Sequence, residues 1–145
     1  MLTIRRLQIS DLEPLRQLYR QFWDENSNIG RMRERFHEIE SNSRQVIFCA
    51  TIDNLVVGSV MGIVCDELYG DCKPFLVMED LIVDTEYRNH GIGRALVRKL
   101  EQYAKENGCS QMLFITEANR HDAVSFYKSI GFDPKSHIGF KRKIQ

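Results

Sequence analysis

The sequence predicts one mixed α/β domain with a central sheet, in the element order β-α-α-β-β-β-α-β-α-β. Three observations carry that prediction. The chain has 145 residues, the length of one domain and enough to bury a core. Hydrophobic residues make up 43% and charged residues 28%, which is globular composition rather than that of a disordered chain. Apolar residues recur at helical spacing in some segments and form β-branched runs in others. No repeat, low-complexity tract or Pro/Gly/Ser-rich linker interrupts it, so a single domain is expected over residues 1–145.

Residues 2–7 alternate enough for a short strand. Ser10-Asp11-Leu12-Glu13 reads as a capping box opening a helix that carries Leu12, Leu15, Leu18, Tyr19 and Phe22. Pro14 falls in its tolerant first turn. Met32, Phe36 and Ile39 mark a second, weaker helix. Gln45–Thr51 and Leu55–Cys65 read as a hairpin about Asp53-Asn54, residues 66–74 as a loop, and Phe75–Val83 as a third long β run. Ile92, Leu96, Val97, Leu100 and Ala104 predict a helix ended by Gly108. Met112–Thr116 reads as a strand. Ala123, Val124, Tyr127 and Ile130 mark a helix closed by Gly131. Ile138–Ile144 is expected to be a last strand, an edge guarded by Lys141-Arg142-Lys143.

Twenty Lys+Arg balance twenty Asp+Glu, so the basic excess of a nucleic-acid binder is missing. No run approaches the length of a membrane span, and Met1–Arg6 does not read as a signal peptide. Cys49, Cys65, Cys72 and Cys109 form no C-x-x-C pair and have no His at ligand spacing, so no metal site is expected. Cys49 sits in an apolar run and reads as a small core residue. A cytoplasmic protein with reduced thiols is the expectation.

The sharpest feature is Val83-Asp84-Thr85-Glu86-Tyr87-Arg88-Asn89-His90-Gly91-Ile92-Gly93-Arg94. A strand ends, a turn follows and a helix begins at a glycine pair. Free N–H groups at a helix start bind anions, and Gly91 and Gly93 would let a phosphate approach the backbone. Arg88 and Arg94 would add charge-assisted hydrogen bonds. A tight turn whose glycines serve geometry alone fits the glycines equally well. The Lys-Ser/Thr of a P-loop does not follow, and the third glycine of a dinucleotide fingerprint is missing.

R-x-x-G-x-G at such a junction resembles the pyrophosphate-binding motif of the GNAT family, the GCN5-related N-acetyltransferases. Glu79-Asp80-Leu81-Ile82-Val83 precedes it as that family's fourth strand does. Glu117-Ala118-Asn119 and Ala123–Phe132, with the Phe126-Tyr127 pair and the Gly131-Phe132 ending, resemble its later motif. The element order matches too, so the resemblance implies a single GNAT-like domain over nearly the whole chain. Asn89 stands where many members have Gly. Asn tolerates positive φ, so the turn is expected to survive. His90 reads as solvent-facing or backbone-bonded rather than catalytic.

The resemblance implies direct acetyl transfer from acetyl-CoA, a co-substrate, to an amine. It places the pyrophosphate on the loop of Arg88, Asn89, His90, Gly91, Ile92, Gly93 and Arg94. It places the pantetheine arm on the backbone of Leu81, Ile82 and Val83, one of whose N–H groups would face the developing oxyanion, with Asn119 as a further contact. Tyr127 matches the family's general acid. Met78-Glu79-Asp80 is similar to the spermidine/spermine acetyltransferases, which makes Glu79 the base candidate. In one regular strand, residues 79, 81 and 83 would share a face, with Asp80 and Ile82 on the other.

Residues 66–86 hold seven acids and one base, Lys73, while the following helix carries Arg94, Arg98, Lys99 and Lys105. An acidic approach suits a cationic amine and a basic helix suits CoA phosphates. Polyamines, diamines, aminoglycosides, lysine-like metabolites and peptide amines all fit. A non-catalytic acyl-CoA sensor is the alternative class. Family habit points to a homodimer.

Overall fold

The computed structural model describes residues Met1–Gln145 as two compact units, Met1–Leu113 and Phe114–Gln145. In the first unit the alternating start forms β1 (Leu2–Arg6), followed by helices α1 (Leu12–Trp23) and α2 (Ile29–Ser41). The hairpin β2 (Gln45–Ile52) and β3 (Leu55–Cys65) comes next, then β4 (Phe75–Val83), α3 (Ile92–Glu106) and β5 (Met112–Leu113). The sheet runs β1-β2-β3-β4-β5. Its first three pairings are antiparallel, and β4 pairs β5 in parallel because α3 carries the chain back between them. Asp53 and Asn54 both take positive φ, 49° and 66°, the signature of the tight turn that joins twisted antiparallel strands. The fold class is the predicted one: α/β, with a five-strand mixed sheet and four helices. No helix is long and apolar enough to cross a membrane.

Alternation along the strands sorts the core into two layers. Leu12, Leu15, Leu18 and Phe36 of α1 and α2 pack with Cys49 and Ile82 on one face of the sheet. Phe48, one residue before Cys49, points to the other face and meets Tyr103 of α3 edge-on, with ring centroids 6.0 Å apart. Gly58 and Gly62 of β3 lie beneath α3. A Cβ on Gly62 would collide with the Leu100 side chain, and one on Gly58 would sit 3.1 Å from Leu96 Cδ1. These two positions stay bare so that the helix can approach the strand.

Four local expectations need correction. First, α1 is preceded by a short 3-10 turn, Ile9–Asp11, so winding starts before Ser10. Asp11 therefore accepts the free N–H, from Gln8 at 2.8 Å, while Glu13 pairs forward with Arg16.

Second, β4 is not regular. Ser59 pairs Ile82 and Met61 pairs Glu79, so Asp80 and Leu81 of β4 oppose Val60 of β3 alone. The extra residue is a bulge at Asp80, whose φ is +53°. Glu79 and Ile82 therefore share a face, which a strict two-residue period cannot yield.

Third, the strand expected over Met112–Thr116 is a ladder of Met112–Leu113 alone, paired to Leu76 and Val77. Pairing stops before β4 enters its bulged half.

Fourth, no strand forms over 138–145. Gly139 and three consecutive cations break the two-residue alternation, and Phe140 is 91% exposed, so no apolar face pins a register.

The second unit holds α4 (His121–Ser129). Gly131 follows its end at φ +103°. Phe114, Tyr127 and Phe132 pack together, with Phe114 edge-on to Phe132 at 4.9 Å.

Candidate functional site

The turn between β4 and α3 is built from its own backbone and tied down by α1. Asp84 accepts from the Glu86 N–H at 2.9 Å. Gln21 of α1 donates to Asp84 Oδ2 at 3.0 Å and accepts from the Thr85 N–H at 3.2 Å. Arg88 folds back instead of reaching forward. Its Nε donates to the Val83 carbonyl at 3.2 Å, and its guanidinium lies 5.7 Å over the Phe22 ring. Asn89 and Gly91 both take left-handed φ, 64° and 79°, so the turn forms with Asn at the first of them. His90 is exposed, with Nδ1 3.3 Å from the Tyr87 carbonyl.

At the start of α3 the Gly91 position supplies no side-chain cap. The first-turn N–H groups around Ile92, Gly93 and Arg94 thus face a helix end that no side chain closes. A Cβ at Gly91 would meet nothing within 4 Å, so open space lies over the turn. Arg94 is exposed beside it, whereas Ile92 is buried and anchors the helix to the sheet. The helix dipole, the open N–H groups and Arg94 together fit an anionic group such as a pyrophosphate.

The second component is an unpaired strand edge. The β4–β5 ladder ends at Val77 and Leu113, so Met78–Val83 of β4 have no β5 partner. The backbone of Leu81, Ile82 and Val83 there can accept an extended, amide-bearing chain.

At the bulge the two acidic neighbours differ. Glu79 is exposed. Asp80 is half-buried, and burial raises its pKa with no hydrogen bond or counter-charge to offset the shift. Tyr19 of α1 and Ser59 of β3 complete this corner. Burial, reinforced by the Asp80 charge, pushes the Tyr19 phenol up to about 12, and the nearby Ser59 hydroxyl opposes the shift. Ser59 is 1% exposed, and its Oγ makes no well-formed hydrogen bond.

Sequence reasoning missed Tyr19 and Ser59 as site residues. Tyr19 matches the apolar period of α1, and Ser59 is a lone hydroxyl in an apolar run. The one available signal was the pair of acids inside β4.

In the second unit, Tyr127 of α4 is half-buried, with its ring 4.3 Å from Phe114 and 5.3 Å from Phe126. Burial raises its pKa, against the Arg120 charge, so the phenol is a protonated donor at neutral pH. Asn119 is exposed in the segment before α4. Outside these elements, Cys49 is fully buried, and burial pushes its thiol up to about 11, leaving it unreactive. Arg44 pairs with Asp66 at 2.8 Å beside the acidic loop.

Residues 12–132 match the family model described as the Acetyltransferase (GNAT) family. The aminoglycoside N(6')-acetyltransferase type 1 of Salmonella enteritidis is 21% identical over 142 residues, 97% of each chain. N-acetyltransferase family 8 member 3 of Rattus norvegicus is 39% identical over 57 residues. That match covers 39% of this chain and 25% of the relative, so the chain spans only about a quarter of that protein. The crystal structure of glucosamine-6-phosphate N-acetyltransferase from Arabidopsis thaliana superposes with a TM-score of 0.89. It has 23% identity and covers 100% of this chain and 99% of its own, a likeness of fold.

Proposed function

The chain belongs to the acetyltransferase (GNAT) family, and on that premise we propose that it moves an acetyl group from acetyl-CoA to the primary amine of a small cationic molecule. The observation that carries the reading is the uncapped, open start of α3 directly after a strand edge that β5 leaves unpaired. In this reading the N–H groups of Gly91, Ile92, Gly93 and Arg94, with the Arg94 side chain, hold the pyrophosphate. Asn89 and His90 contribute loop backbone. Arg88 braces the loop through Val83 and Phe22. Leu81–Val83 bind the pantetheine amides, and Asn119 adds a side-chain contact.

Transfer forms an N–C bond and breaks the C–S bond of the thioester. Starting from the ammonium, two protons leave nitrogen, one before attack and one as the amide forms, and one proton must reach the thiolate sulfur. A primary ammonium has a pKa near 10, so only about one molecule in 10³ is the nucleophile at pH 7. Glu79, exposed at the bulge, takes the ammonium proton through water. A backbone N–H among Leu81–Val83 faces the negative charge growing on the acyl oxygen. Tyr127 protonates the leaving sulfur, and the second proton released from nitrogen restores its phenol.

A small amine is favoured by the Salmonella aminoglycoside acetyltransferase, which aligns over 97% of both chains. The acids of the 66–86 stretch support a cationic one. The free cysteines suit a reducing, cytoplasmic setting, and a homodimer is the expected assembly.

The first test is thermal denaturation with acetyl-CoA at increasing concentration. A ligand that binds only the folded state raises Tm progressively. A Tm unmoved at millimolar acetyl-CoA would rule out both this enzyme and a non-catalytic acyl-CoA sensor.

A further inference from the structure

The corner made by Tyr19, Ser59 and Asp80 has a feature that no fold requirement explains. Side chains of α1, β3 and β4 come together beside the bulge, where the Tyr19 phenol feels both the Asp80 charge and the Ser59 hydroxyl. Ser59 Oγ is buried without a well-formed hydrogen bond. Asp80 is half-buried, and neither a hydrogen bond nor a counter-charge answers its burial. Buried polar groups are nearly always satisfied, so Ser59 Oγ, the one buried side-chain atom without a well-formed partner, points together with the unanswered Asp80 carboxylate to a missing partner. The backbone supports the same reading. Asp80 holds φ +53° within a strand, a conformation that costs a non-glycine residue about 1–3 kcal/mol and clusters at functional sites. The bulge it creates puts Ile82 opposite Ser59 and leaves Asp80 as the extra residue.

The chemistry of the partner follows from the oxygens. A carboxylate, a phenol and an aliphatic hydroxyl all accept hydrogen bonds. A primary ammonium offers three N–H donors and one positive charge, and so answers all three acceptors and the Asp80 charge together. Trp23, four residues after Tyr19, lies edge-on to its ring at 5.3 Å and is 49% exposed. Its exposed ring is apolar surface next to Tyr19 that a carbon chain behind the ammonium could cover. Glu79, exposed next to Asp80, is the other acidic group at the bulge.

We propose that Tyr19, Ser59 and Asp80 form an ammonium cradle that binds the acceptor as a primary alkylammonium. The cradle rests on the acetyl-transfer reading above for its role, and its binding is measurable without turnover.

The test is calorimetric titration of hexylamine and butane-1,4-diamine into the protein saturated with CoA, with hexyltrimethylammonium as the probe without N–H groups. The wild type binds the two primary amines and binds the trimethylated probe at least tenfold more weakly. Asp80→Asn keeps a residue that tolerates positive φ and keeps the shape of the bulge. It weakens primary-amine binding about tenfold or more while CoA affinity stays within twofold. Tyr19→Phe and Ser59→Ala each weaken it several-fold. Unchanged CoA affinity certifies that the variants are folded.

The cradle is overturned if Asp80→Asn binds the amines within twofold of wild type, if the trimethylated probe binds equally well, or if no primary amine binds. Amine binding lost in Asp80→Asn, together with no acetyl transfer by the wild type, supports the cradle and counts against the acetyl-transfer reading alone.

Discussion

Asp11 and Asp80 show opposite uses of a buried carboxylate. Asp11 receives the Arg5 guanidinium at 2.7 and 3.0 Å and the Gln8 N–H at 2.8 Å. Burial alone raises its pKa, but these bonds outweigh burial and hold the carboxyl below the usual 3.8. The stability it contributes is therefore fully present above about pH 4 and is lost as pH falls through the lower folded value. Arg5→Met strands a buried charge. It is expected to lower unfolding free energy by about 2 kcal/mol at neutral pH, discounted for the part exposure of Arg5, as read from urea midpoints.

Asp80 runs the other way. Burial raises its folded pKa, so its ionised form weighs against folding at neutral pH, and stability is recovered as pH falls toward the unfolded value. Asp80→Asn is expected to raise Tm at pH 7 by a few degrees, the pattern of a residue kept for binding. A Tm that falls would mean that the carboxylate serves the fold.

Tyr127→Phe is expected to cut kcat roughly 10²-fold with acetyl-CoA affinity unchanged, because only the proton donor is removed. A kcat within about twofold of wild type would make Tyr127 structural. At this scale the sequence offered Tyr127, Glu79 and the glycine turn as candidates, because their residue types carry chemistry openly. Tyr19 and Ser59 stayed hidden, since a tyrosine at core spacing and a serine in a strand look like packing until long-range pairing brings them to Asp80.

The elements were legible where one local rule governs them. The hairpin turn at Asp53-Asn54, the left-handed residues after α3 and α4 at Gly108 and Gly131, and the helix that opens at Gly91 all follow from local backbone preference. The failures share a different cause. The capping box expected at Ser10–Glu13 forms instead between Gln8 and Asp11, because a 3-10 turn precedes α1. The bulge in β4 escaped because a period of two presumes an unbroken ladder. The strand expected at 138–144 needs a partner that the chain's own composition does not provide. The close contact between β3 and α3 has its own test. Gly62→Ala drives a methyl into Leu100 and is expected to cost about 1–3 kcal/mol of unfolding free energy, read from the shift in denaturant midpoint at constant m. A midpoint that does not move would show that α3 yields freely.

Across the whole molecule, a net charge of zero conceals two stretches of opposite charge. The acids of residues 66–86 lead into the turn, and Arg94, Arg98, Lys99 and Lys105 lead away from it along α3. The R-x-x-G-x-G turn and the later Glu117–Asn119 and Ala123–Phe132 stretches made the family readable from residues alone, because anion binding by backbone N–H groups leaves glycines in the sequence. The proposed acceptor side was less readable, since α1, β3 and the bulge would reach it from distant parts of the chain. The central claim is acetyl transfer to a primary amine, and the direct measurement is the rate of free-thiol release from acetyl-CoA over a panel of diamines, polyamines, aminoglycosides and lysine-like amines. The account predicts saturable, amine-dependent release at rates of roughly 1 s⁻¹ or more with at least one small cationic amine. Tight acetyl-CoA binding without amine-dependent release across the panel would contradict it.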